Sequence, residues 1–308
     1  MRHYGRQVGT FIGLIGLSAV LWILSPHFLT VSNLLNVAQQ TAINAIIAVG
    51  MTFVIITAGI DLSVGSIMAL SGVVLASALH NGIPLPAALL SALGTGLLCG
   101  LLNGLLITLG GLPPFISTLG MMSVARGAAL MYTQGRPISG FADNYRHLAT
   151  GEFLRIPSPI LIMLSVYLLA HFALARTKLG RYSYAIGGNE QAALLSGVNV
   201  RFYKTIVYGL SGMLSGLAAI ILTARLDSAQ PIAGIMYELD AIAAAVIGGT
   251  SLMGGEGTVV GTLIGALIMG VLRNGLNLLG VSSFLQQIVI GSAIIIAVLI
   301  DMILKRQR

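Results

Sequence analysis

Apolar residues run through this chain in long blocks, and the polar positions between them are few and grouped. The blocks run Val8 to Leu24, Thr41 to Ala58, Ser66 to Leu79, Pro86 to Leu109, Pro114 to Tyr132, Pro157 to Ala175, Tyr203 to Ala224, Leu239 to Met253, Thr258 to Leu279 and Leu285 to Leu304. Stretches this long and this apolar approach the ~20 residues a helix needs to cross a bilayer. The pattern predicts an all-α polytopic membrane protein of about ten transmembrane helices. Several blocks are shorter than ~20 residues, so some helices are expected to be short, broken or re-entrant. The first block follows Arg2 and Arg6 but precedes SPHFLTVSN, which offers no small-residue cleavage site, and it reads as a retained span.

Composition agrees. Of 308 residues 56% are hydrophobic and 8% charged, with a mean hydropathy of +0.95, whereas soluble domains carry roughly a quarter charged residues. Residues 1–308 are expected to form a single transmembrane domain. A net charge of +7 raises the question of nucleic acid. The cations, however, flank the apolar blocks and do not interleave with aromatics, so no nucleic-acid partner is expected, only the lipid bilayer. The lone Cys99 lies inside a block and has no internal disulfide partner.

The longest polar interruption is Arg176 to Lys204, RTKLGRYSYAIGGNEQAALLSGVNVRFYK. Asn189 is suited to cap a helix, Glu190 places a negative charge in its first turn, Ala192 and Ala193 propagate it, and Gly197 ends it. A helix of about two turns is predicted, roughly 10 Å long, with Gly187 and Gly188 as a swivel before it. Arg176, Lys178, Arg181, Arg201 and Lys204 surround it, which argues for the cytoplasmic side. An even number of spans puts Arg2, Arg6, Lys305, Arg306 and Arg308 on the same side, against Arg136, Arg146, Arg155 and Arg225 on the other. Both termini are therefore expected to be cytoplasmic. Arg126 and Arg273 fall inside blocks. The far-side loops are then Ser25 to Gln40, Thr133 to Ile156 and Arg225 to Glu238. Arg136, Asp143, Arg225 and Asp227 in the last two are candidates for docking a soluble partner, or they are ordinary solvated charges.

Inside the blocks, glycines recur four apart: Gly96, Gly100 and Gly104; Gly212 and Gly216; Gly257, Gly261 and Gly265. Such ladders allow close helix packing in lipid. GIDLSVGS (Gly59 to Ser66) interrupts an oily run with Asp61, which is expected at a cytoplasmic turn, capping a helix from near Leu62 or pairing with a cation during turnover. GGEGTVVGT (Gly254 to Thr262) has a similar rhythm and hints at an internal duplication. Gln39, Gln40, Thr41, Asn44, Asn103, Thr118, Asn274 and Asn277 put amides and hydroxyls on apolar faces, where, with Asp61, they either bond helix to helix or line a hydrated path. Their neutrality favours an uncharged polyol over an ion.

No GxxxxGK[ST] is present, so the chain has no phosphate-cradling loop of its own. The histidines have no ligand spacing, no Cys/His cluster or GxSxG elbow occurs, and an embedded enzyme or metal site is disfavoured. Two classes remain: a permease driven by a separate ATPase, and a stand-alone secondary sugar carrier or facilitator. The scarcity of intramembrane carboxylate or histidine relays counts against the second.

The runs QQTAINAIIAVGMTFVIITAGIDLSVGSIMALSG (Gln39 to Gly72), LGRYSYAIGGNEQAALLSGVNV (Leu179 to Val200), SAQPIAGIMYELDAIAAAVIGGTSLMGGEGTVVGTLIGALI (Ser228 to Ile268) and NGLNLLGVSS (Asn274 to Ser283) resemble the permease subunits of ribose-type bacterial ABC importers. The likeness extends from Leu29 to Asp301. It implies a type II-like importer permease in the bacterial inner membrane, working with a second permease copy or homologue, two cytoplasmic ATPase subunits and a periplasmic sugar-binding protein. It also implies that ATP and Mg reside on the partner ATPase and that this chain holds no cofactor. Asn189, Glu190, Ala192, Ala193 and Gly197 resemble the coupling loop by which such permeases seat on their ATPases, with Gln191 where that loop commonly has Ala. The resemblance points to ribose first, with other monosaccharides as alternatives.

Overall fold

The computed structural model describes residues 2–306; Arg308, counted above among the topology cations, lies outside them. Helix α1 (Arg2–Leu24) leads into α2 (Val31–Ile56), which after a break at 57–63 continues as α3 (Val64–His80), then α4 (Leu85–Thr108) and α5 (Pro114–Thr133). A two-residue strand β1 (Ile138–Ser139), a short helix α6 (Asp143–Thr150) and a hairpin of β2 (Glu152–Phe153) and β3 (Ile156–Pro157) follow. Next come α7 (Ser158–Arg176), α8 (Lys178–Gly188), α9 (Glu190–Leu195) and α10 (Val200–Leu226). Strand β4 (Ser228–Ala229), α11 (Tyr237–Ile247), α12 (Val259–Leu278) and α13 (Ser283–Arg306) complete the order.

Each apolar block falls on one helix. Among the described residues α2, α4, α7, α10 and α12 are long and apolar enough to cross a membrane, and Val8–Leu24, Val64–His80 and Ser283–Ile296 are shorter apolar helices. The block Leu239 to Met253 is helical only to Ile247. Two expected loops are more structured than their polarity suggests. The loop predicted over Ser25 to Gln40 is largely helix, because the Thr30 hydroxyl accepts from the Asn33 amide and starts α2 at Val31. The loop predicted over Thr133 to Ile156 contains α6, whose Tyr145 is buried and donates to the Ile220 carbonyl at 2.9 Å.

Helix α2 is apolar on nearly all sides, so no face prefers water, and it lies at the centre with 83% of its apolar window buried. Around it, α10 packs antiparallel to α4 along the first two glycine ladders. A Cβ on Gly96 would collide with the Gly212 carbonyl, and one on Gly100 with that of Tyr208. Backbone therefore lies on backbone, where dispersion is the main attraction in an apolar solvent. In the third ladder Gly261 and Gly265 pack against Ala244 of α11 and Gly248 just after it, but Gly257 precedes α12 and lies outside the helix.

The two stretches of similar rhythm are both helix breaks, and they touch. The first separates a helix of 26 residues from one of 17, the second a helix of 11 from one of 20. The Gly255 amide donates to the Ile56 carbonyl at 2.9 Å, and the hydroxyls of Thr52 and Thr262 are 2.7 Å apart beside it.

Candidate functional site

At one end of the bundle α9 stands between α8 and α10. Its cap is as the residue types predict: Asn189 is extended (φ −161°, ψ 104°) and its side-chain oxygen accepts from the Ala192 amide at 2.9 Å. Gly197, at φ +81°, closes the helix, and the Val198 amide returns to the Ala193 carbonyl at 3.1 Å. Ala193 is buried against Ile186 and Val200, whereas Ala192, Leu194 and Leu195 face outward, Leu195 with 89% of its surface exposed. Glu190 accepts from Lys204 Nζ at 2.9 Å, which fastens the first turn of α9 to α10.

The polar stretch differs from expectation in one respect: it holds two helices, and Gly187 and Gly188 are no swivel. They form the last turn of α8, and Gly187 is wedged so closely that a Cβ would run into the Ile56 carbonyl and the Gly255 amide. Tyr184, one turn earlier, donates to the Gly257 carbonyl at 2.6 Å. The helix next to α9 is thereby seated on both breaks of the bundle.

The candidate path residues separate into two groups. Asp61 is not at a solvent-facing turn, as its place between two spans suggested. It is fully buried beside Ser211, about 16 Å along α10 from its N-terminal end. Oδ1 accepts from the Ser63 amide at 3.0 Å and the Ser63 hydroxyl at 2.5 Å, and Oδ2 accepts from the Ser211 hydroxyl at 2.9 Å. The chain folds back here because the 57–63 break returns it into the bundle. Asn103 joins the same network by donating to Ser63 Oγ at 2.9 Å, and the Thr118 hydroxyl donates to the Pro114 carbonyl at 2.9 Å within α5. Asp61 and Asn103 thus bond turn to helix, while Thr118 reaches the same break only through a long contact to the Ile60 carbonyl at 3.4 Å.

Gln40, Asn44 and Asn274 lie elsewhere, along α2 and α12. Asn274 and Asn33 exchange amide hydrogen bonds at 2.9 and 3.0 Å. Asn44 Nδ2 donates to Asp240 Oδ2 at 3.1 Å, and Arg273 Nη2 donates to the same oxygen at 2.7 Å. Gln40 and Asn44 line a cavity of about 40 Å³ with Thr41, Asp240, Gly270 and Arg273. Sequence reading misses Asp240 and Asn33. The signal for Asp240 was the pair of arginines inside apolar blocks, since both end on the 230–240 segment: Arg273 on Asp240, and Arg126 on the carbonyls of Pro231 and Ala233 at 2.6 and 2.7 Å.

At the opposite end the two charged loops come together. Strands β1 and β4 pair Ile138 with Ala229 and Ser139 with Ser228. Asp227, left-handed at φ 49°, caps α10 and accepts from the Phe141 amide at 2.9 Å. Arg146 lies 3.5 Å from Asp143 and 3.9 Å from Asp227. Asp143 and Asp227 thus share one arginine on the same surface, Arg136 is exposed, and Arg225 is half-buried in the last turn of α10.

With this geometry in hand, three relatives are informative. The chain is 53% identical over 298 residues to the ribose import permease protein RbsC of Bacillus subtilis, spanning 96% of this chain and 92% of the relative. It is 52% identical to the ribose import permease protein RbsC of Escherichia coli K12, covering 95% and 92%. To the D-allose transport system permease protein AlsC of the same organism it is 40% identical, covering 97% and 93%. No solved structure matches the chain. Residues 33–299, from the first turn of α2 to near the end of α13, match the family described as branched-chain amino acid transport system / permease component, and the chain belongs to that permease family.

Proposed function

We propose that this chain is the membrane-spanning permease of an ATP-driven importer, forming with a second copy or a homologue the path through which a monosaccharide, ribose first, enters the cell. The observation that carries the proposal is the near-complete likeness to the ribose import permeases at 52–53% identity. On this reading the ten helices that carry the apolar blocks are spans of the bacterial inner membrane, α3 and α11 being short ones. Both termini and α9 face the cytoplasm. Two ATPase subunits carry ATP and Mg, and a periplasmic binding protein delivers the sugar to the surface around Arg136, Asp143, Arg225 and Asp227. Nothing about Leu195 serves the bundle, since its side chain is bare; an apolar tip on a capped helix suits a cleft on a partner. ATP binding closes the ATPase pair, α9 moves with it, and the permease pair changes the side to which its path opens.

The test is Leu195→Asp together with Glu190→Lys in cells carrying the complete importer. Uptake of labelled ribose is expected to fall more than about tenfold, the loss of a well-seated apolar anchor, at an unchanged amount of permease in the membrane. Wild-type uptake in both variants would sink the coupling role of α9. Accumulation that survives deletion of the ATPase genes would replace the proposal by a stand-alone carrier.

A further inference from the structure

The cavity between α2, α11 and α12 is not explained by packing. Among the described residues Thr41 Oγ1 and Asn44 Oδ1 are buried there with no hydrogen-bond partner, and buried polar atoms are nearly always satisfied. Both bonds made to Asp240 end on one oxygen, Oδ2. Gly270 borders the same space and has no room for a side chain, since a Cβ there would run into the Thr41 hydroxyl. About 40 Å³ is room for a few small polar groups.

The surroundings fix what kind of ligand suits it. Gln40 is exposed on α2, and the Arg273 side chain is 39% exposed about 7 Å from the C-terminal end of α12. Amides and guanidinium groups on apolar helices face water or protein in preference to lipid chains, so this flank belongs to a hydrated path. The Asp240 and Arg273 charges cancel, which removes any attraction for an ion. What remains is a set of acceptors and donors within a few ångströms of one another, the pattern that a vicinal diol satisfies by donating and accepting at once.

We propose that Thr41, Asn44, Asp240 and Arg273 form a hydroxyl-binding subsite for a neutral sugar, in the half of the path nearer the α6 end. This deepens the reading of the chain as a sugar permease and rests on it. The sugar's hydroxyls donate to Asn44 Oδ1 and Thr41 Oγ1, and the ion pair orders Asn44 for that contact.

The test reconstitutes the complete importer in proteoliposomes and measures ribose uptake and ATP hydrolysis together. Thr41→Val removes a hydroxyl that has no protein partner, so the purified variant is expected to melt no lower than wild type. Its uptake at sub-saturating sugar should fall roughly five- to tenfold, the loss of one buried hydrogen bond, while stimulated ATP hydrolysis stays within about twofold. Asn44→Leu should fall at least as far, and Thr41→Ser should restore uptake. Full uptake in both Thr41→Val and Asn44→Leu overturns the subsite and leaves the ion pair as a clamp. So does a loss that Thr41→Ser fails to reverse. Should wild-type vesicles take up a different sugar, ribose is the wrong substrate, and the same comparison with that sugar still decides the subsite.

Discussion

Asp61 and Asp240 are both buried carboxylates, one held by hydroxyls and a backbone amide, the other by a guanidinium and a side-chain amide. Among the described residues no ion pair involves Asp61. Its two donors from Ser63 are local, and Ser211 completes the set, so Asp61 fixes the turn between α2 and α3. Asp240 draws its partners from α2 and α12, two helices that also touch each other, and it borders unfilled space. The difference separates a carboxylate that builds the fold from one that holds a polar opening in it.

The contrast can be broken most decisively at Arg273. Arg273→Met leaves Asp240 buried without its counter-charge, a loss on the order of 3 kcal/mol. Adding Asp240→Leu should recover most of it, because removing both partners also removes the desolvation cost. The measurement is the melting temperature of purified permease in detergent, followed with a thiol-reactive dye on Cys99. A single variant as stable as the double would show that the pair is solvated and the distinction wrong. Asp61 should respond differently. Asp61→Leu strands the donors of Ser63 and Ser211 at a cost of about 2 kcal/mol, whereas Asp61→Asn keeps an acceptor for Ser63 and should cost under about 1 kcal/mol. If the asparagine variant melts as low as the leucine one, the negative charge itself is needed, and Asp61 is no mere turn-former. The smallest effect is expected at a third carboxylate, Glu190, 54% exposed and paired with Lys204. Glu190→Gln should move the melting temperature by no more than about 0.5 kcal/mol allows, which makes it the control for stability effects at the two buried sites.

How far these features could be read beforehand depends on the range of the interactions. The apolar blocks announced their helices because burial in lipid is written in every residue of a span. The α9 cap was legible because Asn189 and Ala192 are three residues apart, and the close packing of α4 and α10 because glycines four apart share a face, although nothing local says that the two helices pack on each other. The burial of Asp61 was not legible: counting spans treats each break as a turn at the surface, and nothing local says that the chain folds back beside Ser211. Asp240 escaped for the same reason, its partners lying 196 and 33 positions away. Helix α8 was hidden by its polarity and its two terminal glycines, which signal freedom in isolation but here allow a tight fit.

Between the last turn of α8 and the first of α9 there is one extended residue, Asn189, about 3.3 Å of chain. With Gly187 lodged between Ile56 and Gly255, that joint has almost no slack. On the proposed docking of α9, a push on it is delivered like a crank throw, through a single pin, to two helix breaks of opposite build, and neither is displaced without dragging the other.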